Sequence, residues 1–138
     1  MAVAAGGGTN HRMGLYDRAM VKDNHLMAQN KLEAMQTAIH RLKNDRPAVE
    51  VELEADTLKQ VEDFLKMDGI DRILLDNMSN DTMKRAVEMR GASGIMLEAS
   101  GGVNLNTIAG IAQTGVDFIS VGALTHSAMS LDLSLEIH

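Results

Sequence analysis

Short apolar segments rich in β-branched residues recur about every twenty residues along this chain, at 48–53, 72–75, 94–97 and 116–121, with helix-like patterns between them. Residues 57–67 place Leu58, Val61 and Leu65 on one face, residues 81–89 form a second helix, and residues 105–113 place Leu105, Ile108 and Ile111 together. Asp56, Asn80 and Asn104 stand upstream as start signals, because their side chains accept from the orphan amides of a first helical turn. An earlier unit pairs a strand near 19–22 with a long helix over 28–43, stopped by Pro47. About five strands alternating with helices predict a parallel sheet, since right-handed helical crossovers return each strand in the same direction. The pattern alone leaves a barrel and an open doubly wound sheet equally available.

At 138 residues, 45% of them hydrophobic, the chain is one domain long, 1–138, and large enough to bury a core. Eleven methionines against three aromatics, Tyr16, Phe64 and Phe118, predict a core filled by flexible aliphatic side chains. A net charge of -6 argues against nucleic acid or an anionic membrane as the main partner, so an anionic ligand must meet local positive charge or backbone amides. There is no apolar run of membrane-spanning length and no signal-peptide pattern, so a cytoplasmic location is expected. With no cysteine, chemistry must rest on carboxylates, His, Lys, Arg, Ser and backbone.

Parallel α/β folds gather ligands at the carboxyl ends of their strands. The residues expected there are Lys22 to His25, Glu52 with Glu54, Asp76 with Asn77, Glu98 with Ser100-Gly101-Gly102, and Gly122 to His126. "SGG" and "GALTHS" are short glycine turns after the last two strands, where backbone amides hold phosphate without net positive charge. Either turn alone favours a plain tight loop; their joint position favours a phosphate. Glu54 and Asp76, one strand apart, suit sugar hydroxyls or a cation developing on a sugar carbon. His11, Arg12 and Lys22 supply a cationic sector beside the glycine run "GGG" at Gly6 to Gly8. His40, His138 and the charges of "RLKNDR" read as surface groups.

"GGGTNHRMGLYD", "VKDNH", "VEVELEADTL", "LLDNM", "LEASGGV" and "GVDFISVGALTHS", in this order across nearly the whole chain, closely resemble the quinolinate phosphoribosyltransferase family, the carboxylating nicotinate-nucleotide pyrophosphorylases. The resemblance implies conversion of quinolinate and phosphoribosyl pyrophosphate to nicotinate mononucleotide, pyrophosphate and carbon dioxide, with Mg2+ at the pyrophosphate, in NAD biosynthesis. It implies that His11, Arg12 and Lys22 hold the quinolinate carboxylates, with Lys22 also catalytic. It assigns Glu54 and Asp76 to catalysis and the metal-bound sugar, with Glu52 as the fallback for Glu54. Ser100, Gly101, Gly102, Gly122 and His126 become the 5′-phosphate cradle.

The fold it implies is a partial (β/α) barrel lacking the family's amino-terminal domain and first barrel segment, because "MAVAAGGG" corresponds to a point inside the barrel. A homo-oligomer, dimer or hexamer when complete, is the expected assembly. Two other classes stay open: a non-catalytic module binding phosphoribosyl compounds or nucleotides, and a paralogue associated with molybdenum transport. The intact "NHR" and "KDNH" count against the latter.

Overall fold

The computed structural model of the chain describes residues 2–10, 18–21 and 29–126. The elements run α1 (Ala2–Ala5), β1 (Arg18–Val21), α2 (Gln29–Asp45), β2 (Glu50–Ala55), α3 (Leu58–Phe64), β3 (Arg72–Asp76), α4 (Asn80–Arg90), β4 (Met96–Ser100), α5 (Ile108–Ala112), β5 (Phe118–Ile119) and α6 (Ala123–His126). The five strands pair in chain order, every neighbour parallel, with Arg18 opposite Glu50, Glu54 opposite Leu74, and Asp76 opposite Ser100. A doubly wound sheet reverses its strand order at a switch point. Here the order never reverses, and the two alternatives left by the sequence resolve into a barrel-type segment.

The two faces of the sheet have opposite characters. Val51, Leu53, Ala55, Ile73, Leu75, Leu97 and Ala99 all bury on one face. Against them pack Met35 and Ile39 of α2, Val61 and Phe64 of α3, Met83 and Ala86 of α4, and Ile111 of α5. Because side chains alternate along a strand, the other face carries Glu50, Glu52, Glu54, Arg72, Asp76, Glu98 and Ser100, with Leu74 buried among them. Glu52 and Glu98, expected at the rim, instead lie deep within this inner face, 0% and 2% exposed. Arg18 Nη1 donates to Glu52 Oε2 at 2.6 Å, and Arg72 Nη1 donates to Glu98 Oε2 at 2.6 Å. Arg18 also reaches Glu50, Ser120 donates its hydroxyl proton to Glu98, and the Arg72 guanidinium lies 3.9 Å from the centroid of the Phe118 ring.

Helix starts differ from expectation by a residue or more. Thr57, not Asp56, caps α3, in a reciprocal capping box with Gln60. Ser79, not Asn80, caps α4, accepting from the Thr82 amide. Asn104 instead holds a turn ahead of α5, its Oδ1 accepting from the amides of Asn106 and Thr107. That turn takes Leu105 out of the helix, and the residue expected in the core is 94% exposed. Within "GGG", Gly8 donates to Val3 O and Gly7, at φ +82°, donates to Ala4 O, which ends α1 in a Schellman motif. His40 is exposed as expected, while His138 lies outside the described residues.

The "RLKNDR" segment is only partly solvated. Lys43 Nζ pairs with Asp71 Oδ2 at 2.5 Å and donates to Val49 O at 3.0 Å, and Asp71 Oδ2 accepts the Val51 amide at 2.7 Å. The arrangement repeats two strands on, where Asp117 accepts the Leu97 amide at 2.8 Å and pairs with Arg90 of α4. Both aspartates stand just before a strand and pin the amino end of its neighbour. Stability should hinge on the inner-face network, because removing one member of a buried ion pair strands the other. Arg72→Ala is expected to cost about 3–5 kcal/mol in urea unfolding, far more than Lys59→Ala on the exposed face of α3.

Candidate functional site

The carboxyl ends of β2, β3 and β4 form a rim, and its acidic sector contains three groups rather than two. One carboxylate oxygen from each of Glu54, Asp56 and Asp76 lies within 4.8 Å of the others. Glu54 and Asp76 are half-buried and Asp56 is exposed. Asp56 is in the cluster because capping of α3 is done by its neighbours: Gln60 Oε1 accepts from the Asp56 amide, the Thr57 amide and the Thr57 hydroxyl. The sequence reading treated Asp56 only as a helix signal. The usable sign was spacing, since Glu50, Glu52, Glu54 and Asp56 recur at every second residue and share one face of an extended strand.

The same geometry separates the two glutamates of "VEVELEADTL". Glu52 is fully buried and bonded to Arg18, so it belongs to the scaffold, whereas Glu54 stands at the rim beside Asp76. Asp76 is held by Asn77, whose Nδ2 donates to Asp76 Oδ2 at 2.9 Å.

The glycine turn follows directly. Ser100 ends β4, and its carbonyl accepts the Asn77 amide at 2.9 Å. Gly101 at φ +88° and Gly102 at φ +61° then carry the backbone through left-handed conformations that a side chain resists. The Gly102 carbonyl accepts from Asn104 Nδ2 and from the Thr107 hydroxyl, which fixes the far side of the turn. An open groove of about 430 Å³ runs beside it, lined among others by Asn77, Asn80, Gly101 and Thr107. Gly122 lies in the turn before α6, and His126 is the last residue of that helix.

Of the expected site residues, the structure brings together Glu54 and Asp76, and joins Asp76 through Asn77 to Ser100 and Gly101. His11, Arg12 and Lys22 lie outside the described residues, as does the side chain of His126. Two titratable groups on α3 are displaced from their ordinary range. The hydrogen bond from Lys66 lowers Glu62, and the bond to Asp63 raises Lys59.

Residues 1–136 match the family model for the quinolinate phosphoribosyl transferase C-terminal domain. The chain belongs to this family. It is 42% identical, over 99% of its length, to a mitochondrial quinolinate phosphoribosyltransferase [decarboxylating] 2 of Nicotiana glauca, of which it covers 43%. It is 40% identical to a probable carboxylating nicotinate-nucleotide pyrophosphorylase of Bacillus subtilis, with 99% of this chain and 46% of that protein covered. Among solved structures, NadC from Streptococcus pyogenes superposes at a TM-score of 0.79 with 38% identity, over 98% of this chain and 46% of that one. The nicotinate-nucleotide pyrophosphorylase from Francisella tularensis gives 0.80 with 37% identity, over 96% and 45%. The chain thus spans a little under half the length of the relatives it matches.

Proposed function

We propose that this chain supplies much of the catalytic rim of an enzyme that transfers the phosphoribosyl group of phosphoribosyl pyrophosphate to quinolinate, giving nicotinate mononucleotide, pyrophosphate and carbon dioxide. The observation that carries the reading is the meeting of Glu54 and Asp76 on a rim that continues, within one strand, into the glycine turn at Gly101 and Gly102. Acid and turn sectors at that separation suit one sugar phosphate lying across two strand ends.

In this reading the bond from the anomeric carbon to pyrophosphate breaks first, and Glu54 and Asp76 stabilise the positive charge that grows on the sugar. The pyridine nitrogen attacks the same carbon. The bond to the 2-carboxylate then breaks, its electron pair staying on the carbon beside the quaternised nitrogen until a proton replaces the carbon dioxide. Backbone amides of Ser100, Gly101, Gly102 and Gly122, with His126, hold the 5′-phosphate. His11, Arg12 and Lys22 orient the two carboxylates of quinolinate, a task that needs fixed and paired charge.

Hard carboxylate oxygens from Glu54, Asp56 and Asp76 are a donor set suited to Mg2+. Bound there, directly or through water, the ion would neutralise charge on the departing pyrophosphate.

The enzyme is proposed to act as a homo-oligomer. No described helix is long and apolar enough to cross a membrane. The cytoplasm is proposed as the compartment of this chain, whereas plant relatives carry mitochondrial or chloroplastic in their names.

The test is formation of nicotinate mononucleotide from quinolinate and phosphoribosyl pyrophosphate with Mg2+. It would be run on the chain alone and on the chain joined to the amino-terminal half of a relative. Product is expected from the joined protein, and Glu54→Gln should lower kcat by about 10²–10³-fold. Saturable binding of phosphoribosyl pyrophosphate with no product from the joined protein would favour the non-catalytic module. Absence of both binding and product would sink the phosphoribosyl reading.

A further inference from the structure

Asn77 is the one residue other than glycine with a positive φ among the described residues, at +52°. A side chain pays for that conformation in strain, and asparagine tolerates it better than most because its amide can bond locally. Here the strained residue makes two bonds in different directions. Its backbone amide donates to Ser100 O at 2.9 Å, tying the end of β3 to the end of β4, and its side-chain Nδ2 donates to Asp76 Oδ2 at 2.9 Å. A third fact is steric. A Cβ built on Gly101 would fall onto Asn77 Oδ1 and stand 2.5 Å from Asn77 Cγ and 3.0 Å from Asn77 N. Gly101 is therefore bare for two reasons: its own φ of +88°, and the Asn77 amide that occupies the space beside it.

We propose that Asn77 and Gly101 interlock, making Asn77 a positioning residue that fixes the Asp76 carboxylate at a set distance from the glycine turn. The inference rests on the phosphoribosyl reading above and adds to it how the two halves of the site are held in register. Asn77 acts through Asp76. Its backbone bond keeps the two strand ends together, and its side chain holds the Asp76 carboxylate, which lies in one cluster with Glu54 and Asp56. Hydrogen-bonded partners of ligating carboxylates typically alter affinity or activity by 10–100-fold when removed.

Asn77→Gly separates the two contributions, because glycine keeps the backbone conformation and its amide while deleting the bond to Asp76. Two measurements on the 138-residue chain decide the matter. In titration calorimetry with magnesium phosphoribosyl pyrophosphate, Asn77→Gly is expected to bind at least tenfold more weakly. Inorganic phosphate, which carries no sugar hydroxyl and so reports on the phosphate turn alone, should bind both proteins with affinities equal to within about twofold. Equal affinity of both proteins for magnesium phosphoribosyl pyrophosphate, or parallel losses for both ligands, would overturn the positioning role.

In thermal melts, Gly101→Ala should lower Tm less in the Asn77→Gly background than in the unsubstituted chain. The expected difference is several degrees, on the order of 3 °C or more. If Gly101→Ala alone does not fold, recovery of a cooperative melt on adding Asn77→Gly supports the interlock, and failure to recover overturns it. Equal Tm losses in the two backgrounds likewise overturn it. If the unsubstituted chain binds no phosphoribosyl pyrophosphate, the calorimetry is repeated on the joined protein, and absence of binding there overturns the underlying reading and the positioning role with it. The melts still decide the interlock, so the two failures are told apart.

Discussion

The rest of the structure depends on how the inner face of the parallel sheet is filled. Parallel sheets are ordinarily apolar on both faces, yet this one buries Glu52 and Glu98 among Arg18 and Arg72. Two buried guanidiniums opposite two buried carboxylates balance in charge, and Ser120 and Phe118 complete the shell around Glu98 and Arg72. Such a network adds little net stability over a well-packed apolar layer, because desolvation offsets most of the attraction. What it adds is specificity. A one-residue slip of any strand would carry these charges into the apolar layer under the helices and bring Leu53 or Ile73 to the inner face, so register is strongly fixed. The rim groups inherit their places from that register, since Glu54 and Asp76 sit one alternation beyond Glu52 and two beyond Arg72.

Strand and helix order was legible in the sequence because hydrophobic period reports which face is buried, and every strand expected from 48 onward is present within a few residues. Helix starts were less legible. Asp56 and Asn80 each have a capping-competent neighbour in Thr57 and Ser79, and intrinsic preference cannot choose between adjacent candidates. Leu105 was misread because Asn104 can either cap a helix or hold a turn, and only the bonds to the Asn106 and Thr107 amides decide which. Glu98 looked like a rim group because its depth along β4 depends on where that strand begins, two residues later than the pattern suggested.

Within the site, residue types and strand ends identified Glu54, Asp76 and the glycine turn, but not their connection. Asp56 escaped because a carboxylate beside a helix start has a familiar second use. Asn77 is expected at the rim, but its linking role is not, because no sequence pattern announces a positive φ at a residue other than glycine. Both were visible only once the backbone showed which neighbours had already taken the competing role. The glycine turn shows the same dependence: Gly101 reads in the sequence as a tight turn or part of a phosphate cradle, while in the structure its bareness also leaves room for the Asn77 side chain.

Asp71 and Asp117 carry a different consequence. Each clasps the amino end of one strand to the approach of the next, and each is held by a basic residue from the end of a helix, Lys43 or Arg90. At the carboxyl ends of β3 and β4 the tie is backbone to backbone, from the Asn77 amide to the Ser100 carbonyl. A carboxylate tied both to a helix end and to a neighbouring strand's amide fixes the spacing of helix and strand at that edge, and the unbroken strands Glu50–Ala55 and Met96–Ser100 carry the spacing across the sheet to Glu54 and Ser100. The geometry of the rim is in this way set in part from the opposite edge.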